Sequence, residues 1–171
     1  MFTISAIGYG PEKLFGYNLY TKPYTRLARR IHQIITTELS IQKSIHCFCN
    51  GSSGTNQLFG LIIKKLKESN SNVSMEFVLP CLFHSVSYVN DPIYNLIYEC
   101  SDKITTISNS LCTSYSNLNR DIYMIKNSSL IISIYDRYSN YDEYIEELLE
   151  YAKNNHIPVV NPYVIPRDKY E

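Results

Sequence analysis

"LIISIY", Leu130 to Tyr135, holds three isoleucines, a leucine and a tyrosine around one small polar residue, Ser133. A strand with so few polar side chains is covered on both faces, as strands of parallel sheets are. Upstream, Leu118 to Lys126 has helical spacing, and Ile104 to Ile107 reads as a short strand. Pro92 to Cys100 reads as a short helix, and Val73 to Leu79 as a strand ended by Pro80. Leu58, Phe59, Ile62, Ile63 and Leu66 line one side of a helix whose Lys64, Lys65 and Lys67 face water. Ile45 to Cys49 and Phe2 to Ile7 read as two further strands. Between them Leu27, Ala28, Ile31, Ile34, Ile35 and Leu39 recur at helical intervals, with Pro23 suited to the first turn.

Downstream, Asn140 with Glu143 marks a helix start with an acidic first turn. Tyr144, Ile145, Leu148, Leu149 and Ala152 form its buried stripe, and Ile157 to Val160 is a last strand. Strand and helix alternate throughout. The expectation is α/β: one Rossmann-like doubly wound domain over residues 1–171 with a mainly parallel sheet. Ser108 to Asn117 and the tail after Pro166 are the segments expected to be floppy.

Bulk composition narrows the function. The chain has 171 residues, with 16 basic against 16 acidic side chains. A general grip on nucleic acid needs a cationic surplus, so a nucleic-acid partner is not expected. Lys13, Lys22, Arg26, Arg29 and Arg30 are the one set that would make a local basic patch. No apolar run approaches the ~20 residues of a membrane span, and "MFTISAIGYG" lacks the basic start of a signal peptide. The expected compartment is the cytoplasm, or the host cytoplasm if the source is viral. The five cysteines include no C-x-x-C pair and are expected to be reduced and mostly buried, with no structural zinc.

Ligands of such sheets bind beyond the carboxyl ends of the strands. In "CNGSSGTNQL", Cys49 to Leu58, glycines permit close backbone approach. Helix-start amides with Ser52, Ser53 and Thr55 hydroxyls would receive a phosphate. The other reading is an ordinary strand-to-helix turn capped by Ser or Thr. The loop is neither a Walker motif nor G-x-G-x-x-G. In "GYGPEKLFGY", Gly8, Gly10, Pro11 and Gly16 crowd together, and Lys13 and the Tyr9 ring would meet a phosphate and a base; the other reading is a tight turn with Lys13 solvated.

Taken together, "IGYGPEKLFGY", "CNGSSGTNQL", "NRDIYMIKNSSLIISIYD" and "IPVVNP" resemble, in order, four segments of the YspA/YoqJ-like branch of the SLOG superfamily. The resemblance implies a Rossmann-like fold that binds nucleotides or nucleotide-derived ligands, with relatives among the LOG phosphoribohydrolases, DprA and sensors of ADP-ribose-type signals. It also implies a homo-oligomer, a dimer or higher. The ligand contacts expected are Gly8, Tyr9, Gly10, Pro11, Lys13, Gly51, Ser52, Ser53, Gly54, Thr55, Asn56, His84, Arg120, Tyr123 and Asp136.

The departures shape the function. The arginine of the opening motif is Gly10 here, which removes a bidentate phosphate donor. The aspartate of the second motif is Asn56, which cannot act as a carboxylate base. After "YD" the family carries a G-G-T turn, whereas this chain has "RYSNY". The LOG signature P-G-G-x-G-T-x-x-E is absent, so the Glu143, Glu146, Glu147, Glu150 run is a solvated helix face. His46 reads as packed, and His32 and His156 as surface residues. Tyr17, Tyr88 and Tyr123 join Tyr9 as rings able to stack on a purine.

The expected function is therefore binding without catalysis. The ligand is a nucleotide-derived small molecule such as an ADP-ribose-type cyclic signal, whose sequestration would counter nucleotide-based antiviral defence. No catalytic residue, metal or cofactor is assigned. The alternatives are a hydrolase of an N-glycosidic or phosphate bond, with its base among Asp136, Asp91, Glu12 and His84, or a DprA-like nucleic-acid binder.

Overall fold

Six short apolar segments pair into one sheet in the order β4-β3-β2-β1-β5-β6, with every pairing parallel. The strands are β1 (Phe2–Gly8), β2 (Ile45–Cys49), β3 (Val73–Leu79), β4 (Lys103–Thr106), β5 (Leu130–Ile134) and β6 (Val159–Val160). The helices are α1 (Lys22–Gln42), α2 (Thr55–Ser69), α3 (Pro92–Glu99), α4 (Ser116–Lys126) and α5 (Glu143–Asn154). This computed structural model describes residues 1–163; the tail after Pro166, expected to be floppy, lies outside the described residues.

Alternation along the strands splits the core into two layers. Ile4, Ala6, Cys47, Met75, Phe77, Ile132 and Ile134 join the α1 and α2 side chains Leu27, Ile31, Phe59 and Ile63 in the larger core. Ile7 and Ile131 point the other way, to Ile125 of α4 and Leu148 and Ala152 of α5, and Phe48 and Val78 meet Met124. Both faces of β1 and β5 are thus covered, as the reading of "LIISIY" requires. The fold is the expected Rossmann-like doubly wound one, and the sheet is wholly parallel.

Local chemistry sets the helix starts. Asp91 accepts from the Ile93 and Tyr94 amides, and Pro92 holds the first turn of α3. Asp142, not Asn140, caps α5, accepting from Ile145 N at 3.2 Å; the Asn140 amide closes a turn on Asp136 O instead. α4 starts at Ser116, inside the segment expected to be floppy, and Ser116 Oγ receives the Thr113 amide. The cysteine expectation is corrected as well. Cys81 and Cys112 form a disulfide with a Cα–Cα distance of 5.2 Å, because β3 and the loop before α4 end side by side. Cys47, Cys49 and Cys100 remain free.

Candidate functional site

The sheet order reverses between β1 and β5, and a ligand crevice in such folds opens above that junction. Here the chain fills it with Tyr9, which is 1% exposed. Tyr9 Oη lies within hydrogen-bond distance of the carbonyls of Asp136 and Asn140 and accepts the Asp136 amide at 3.1 Å. Its ring meets Tyr135 and Tyr163 edge to face, and burial pushes its hydroxyl above the ordinary tyrosine range. A ring held this way has no face left for a base. Lys13 pairs with Asp142 at 2.6 Å, so its charge is used within the fold. Gly10 and the buried Pro11 open a 3-10 turn, and Tyr17 bonds Glu12 on the surface.

The 50–55 loop spends much of its donor chemistry on the same plug. Both the Thr55 amide and its hydroxyl donate to Tyr9 O, at 3.1 and 3.0 Å. Gly54 has φ +85°, and a Cβ there would stand 2.7 Å from Tyr9 O. A Cβ on Gly51 would meet Phe77 and Tyr94 at 2.7 Å, and one on Gly8 would meet Ile134 O at 2.5 Å. These three glycines let the protein approach itself. The Ser52 amide donates to Asn50 Oδ1, and Ser52 O accepts from Gln57 N. The Ser53, Gly54 and Asn56 amides have no acceptor among the described residues, although Gly54 and Asn56 are themselves buried.

A charged cluster sits one strand over, at the carboxyl ends of β2 and β3. Arg120, 4% exposed, projects from α4 and donates from Nε to Asp121 Oδ1 at 2.8 Å. Asp121 Oδ1 also accepts from Asn50 Nδ2, and its Oδ2 accepts from Tyr144 Oη at 2.7 Å. The carboxylate is fully engaged, whereas Arg120 Nη1 and Nη2 have no acceptor among the described residues and are not among its fully buried unpartnered atoms, so they keep a narrow contact with solvent. A guanidinium carries five N–H donors, and the four not used within the fold remain available to an anion that reaches this opening.

Three buried polar atoms at this end of the sheet lack a partner: Asn56 Oδ1, His84 Nδ1 and Tyr94 Oη. His84 follows Phe83, which adopts φ +61°, and its ring lies 5.1 Å from Tyr88. Tyr88 stacks on Tyr94 at 4.4 Å and 9°, and Tyr94 meets Phe77 at 5.0 Å, making a continuous aromatic wall. Burial, and then the charge of Arg120, depress the His84 imidazole below its ordinary value, leaving it neutral at pH 7. Burial pushes the Tyr94 hydroxyl up, against a smaller opposing pull from Arg120. Arg120 is therefore the electrostatic centre of this wall.

The remaining sequence candidates lie apart from it. Tyr123 packs on Phe48 under α4. Asp136 Oδ1 accepts from the Tyr138 amide within its turn. Asp91 uses one oxygen to cap α3 and the other to receive Gln57 Nε2. An open groove of about 580 Å³ follows β5 beside α5, and its Arg137 is paired with Glu146. Among the described residues no three His, Cys, Asp or Glu side chains gather as a metal site.

Sequence reasoning missed Asn50, Asp121, Tyr94 and Tyr144. The acidic neighbour of Arg120 was a signal for Asp121; nothing distinguished Tyr94 among 16 tyrosines. No protein-family model matches the sequence, and no curated protein matches it.

Proposed function

We propose that this protein binds a small nucleotide-derived anion at Arg120 and holds it without turnover, acting to sequester a signal of the ADP-ribose type. The observation that carries the reading is Arg120, whose stem is buried and whose two terminal nitrogens are unpaired at a narrow opening, beside the buried unpartnered atoms of His84 and Tyr94. Guanidinium nitrogens in that state match phosphate oxygens in charge and fork geometry. The free amides of Ser53, Gly54 and Asn56 add donors at the start of α2. The resemblance of four segments to the SLOG superfamily supplies the nucleotide. Asn56 in place of that family's aspartate supports holding over cleaving.

The test is direct. The purified protein is denatured, and what it releases is identified by mass spectrometry. Titration calorimetry then runs through nucleotides, ADP-ribose and cyclic ADP-ribose. A ligand that binds, returns intact, and loses at least about tenfold in affinity in Arg120→Lys is the expected result. No binding across that panel sinks the reading.

One observation favours a second reading. His84 Nδ1 is unpartnered, and the imidazole is neutral at pH 7, the state a general base needs. If nucleotide is cleaved at a rate proportional to protein concentration, and His84→Ala stops it, the protein is a hydrolase. A homo-oligomer belongs to the same proposal. Leu82, Phe83, Val86, Val89 and Leu111 are exposed on two neighbouring loops, and light scattering should read a mass above the 19.8 kDa of one chain.

A further inference from the structure

The disulfide joins the two loops that frame the Arg120 cluster. Cys81 follows Pro80 at the end of β3, three residues before His84. Cys112 lies in the loop that leads into α4 and so to Arg120. A backbone bond from Leu82 N to Ser110 O, at 3.1 Å, runs beside the covalent one. The segment closed off, with a separation of 31 residues, contains Tyr88 and Tyr94. One bond therefore fixes the position of the His84 loop relative to the chain entering α4.

The two residues differ in exposure: Cys81 is fully buried, whereas Cys112 is exposed. We propose that Cys81–Cys112 is a reversible latch over the Arg120 cluster, opened by a small thiol that attacks from the Cys112 side. The incoming thiolate bonds to Cys112 Sγ, the Sγ–Sγ bond breaks, and the electron pair leaves on Cys81, which takes up a proton. A second thiol then displaces Cys112, releasing the small disulfide; the protein is reduced by two electrons and two thiols are oxidised. Closure is the reverse, with a small disulfide such as oxidised glutathione as the oxidant. The other cysteines stand outside this exchange, since Cys47 and Cys49 are buried and Cys100 is half-buried. With the latch open, only non-covalent contacts hold residues 80–88 against residues 108–115, and the site loses a fixed wall.

The ligand consequence rests on the reading of Arg120 as a binding site; the latch chemistry does not. Purified full-length protein is equilibrated across glutathione mixtures from fully oxidised to fully reduced. Free thiols are then alkylated and each cysteine is quantified by peptide mass spectrometry, with amide hydrogen exchange followed in parallel. Cys81 and Cys112 should become reactive together in one transition, with any trapped glutathione on Cys112. Exchange across 80–88 and 108–115 should be about tenfold faster once they are reduced. Cys112→Ser should show the fast pattern in every mixture.

Full alkylation of both cysteines in the most oxidising mixture overturns the proposal, as does a bond that survives the most reducing one. Equal exchange in the two states overturns it too. Failure of nucleotide binding in both redox states, with the transition present, counts against the Arg120 reading alone.

Discussion

Tyr144 Oη donates to Asp121 Oδ2 at 2.7 Å, tying α5 to α4 at the residue next to Arg120. Asp121 thereby becomes a junction: its other oxygen holds Arg120 and Asn50, so the loop after β2 and two helices meet on one carboxylate. The ion pair is a positioning device as much as a stabilising one, because a buried pair gains little over its desolvation cost.

Tyr144→Phe removes one arm of that junction and leaves the other two. The variant should lose about 1 kcal/mol in a urea melt, because water replaces the hydroxyl at a half-exposed ring. Any ligand measured on the wild type should bind several-fold more weakly, while Arg120 is still present. Unchanged affinity would mean that Arg120 needs no support from α5.

Gly54→Ala tests whether the loop glycine serves ligand or fold. Its φ of +85° is unfavourable for alanine, and the added methyl would stand 2.7 Å from Tyr9 O. A loss of about 2–4 kcal/mol is expected by chemical denaturation. A stable variant would mean that the loop relaxes freely and is not locked to Tyr9.

Tyr9→Phe keeps the ring in the crevice and deletes the hydroxyl that serves Asp136 and Asn140. The cost should be about 1–3 kcal/mol, the range for leaving buried polar groups without their partner. Faster hydrogen exchange confined to residues 135–142 would locate the damage.

Glu76 supplies a pH dependence. Burial alone would raise its carboxyl, but bonds from Thr105, Lys103 and His46 outweigh it and hold the group below its ordinary value of 4.5. The unfolded chain therefore takes up the proton first as pH falls. The stabilisation is complete above 4.5 and is lost as pH drops through the folded value. Glu76→Gln should be less stable than wild type at pH 7, and the gap should narrow in thermal melts below pH 4.5. A gap independent of pH would separate the residue's role from its charge.

The ends of β2 and β3 were legible because Asn50-Gly51 and Pro80 punctuate them, and the two strands occupy the segments expected. α1 begins five residues before Leu27 and ends three after Leu39, and α2 runs three residues past its apolar stripe at each end, since first and last turns carry little periodic signal. Which strand lies beside β1 was not legible, because Ile4 pairs with Leu130 across most of the chain. The same distance hid the fates of Tyr9 and Lys13. Local sequence offers a ring and a cation, while Asp136, Asn140 and Asp142, which engage them, lie more than 120 residues on. Cys81 and Cys112 escaped notice for a related reason: a separation of 31 is not a spacing motif, and only the meeting of two loop ends makes it a bond.

The long reach of the Tyr9 contacts also orders the birth of the molecule. β2, β3 and β4 each pair with a strand made shortly before them, whereas β5 and the Asp136–Asn140 turn, which complete the contacts of β1, are made more than 120 residues after it. A nascent chain halted before residue 130 therefore carries a four-stranded half-sheet whose central strand has an unpaired edge and whose Tyr9 hydroxyl has no turn to hold. Such an edge invites a neighbouring copy on the same polysome. The arrival of Asp136, 127 residues after Tyr9, closes it. Slower translation between β4 and β5 is thus expected to lengthen the time this edge stays unpaired.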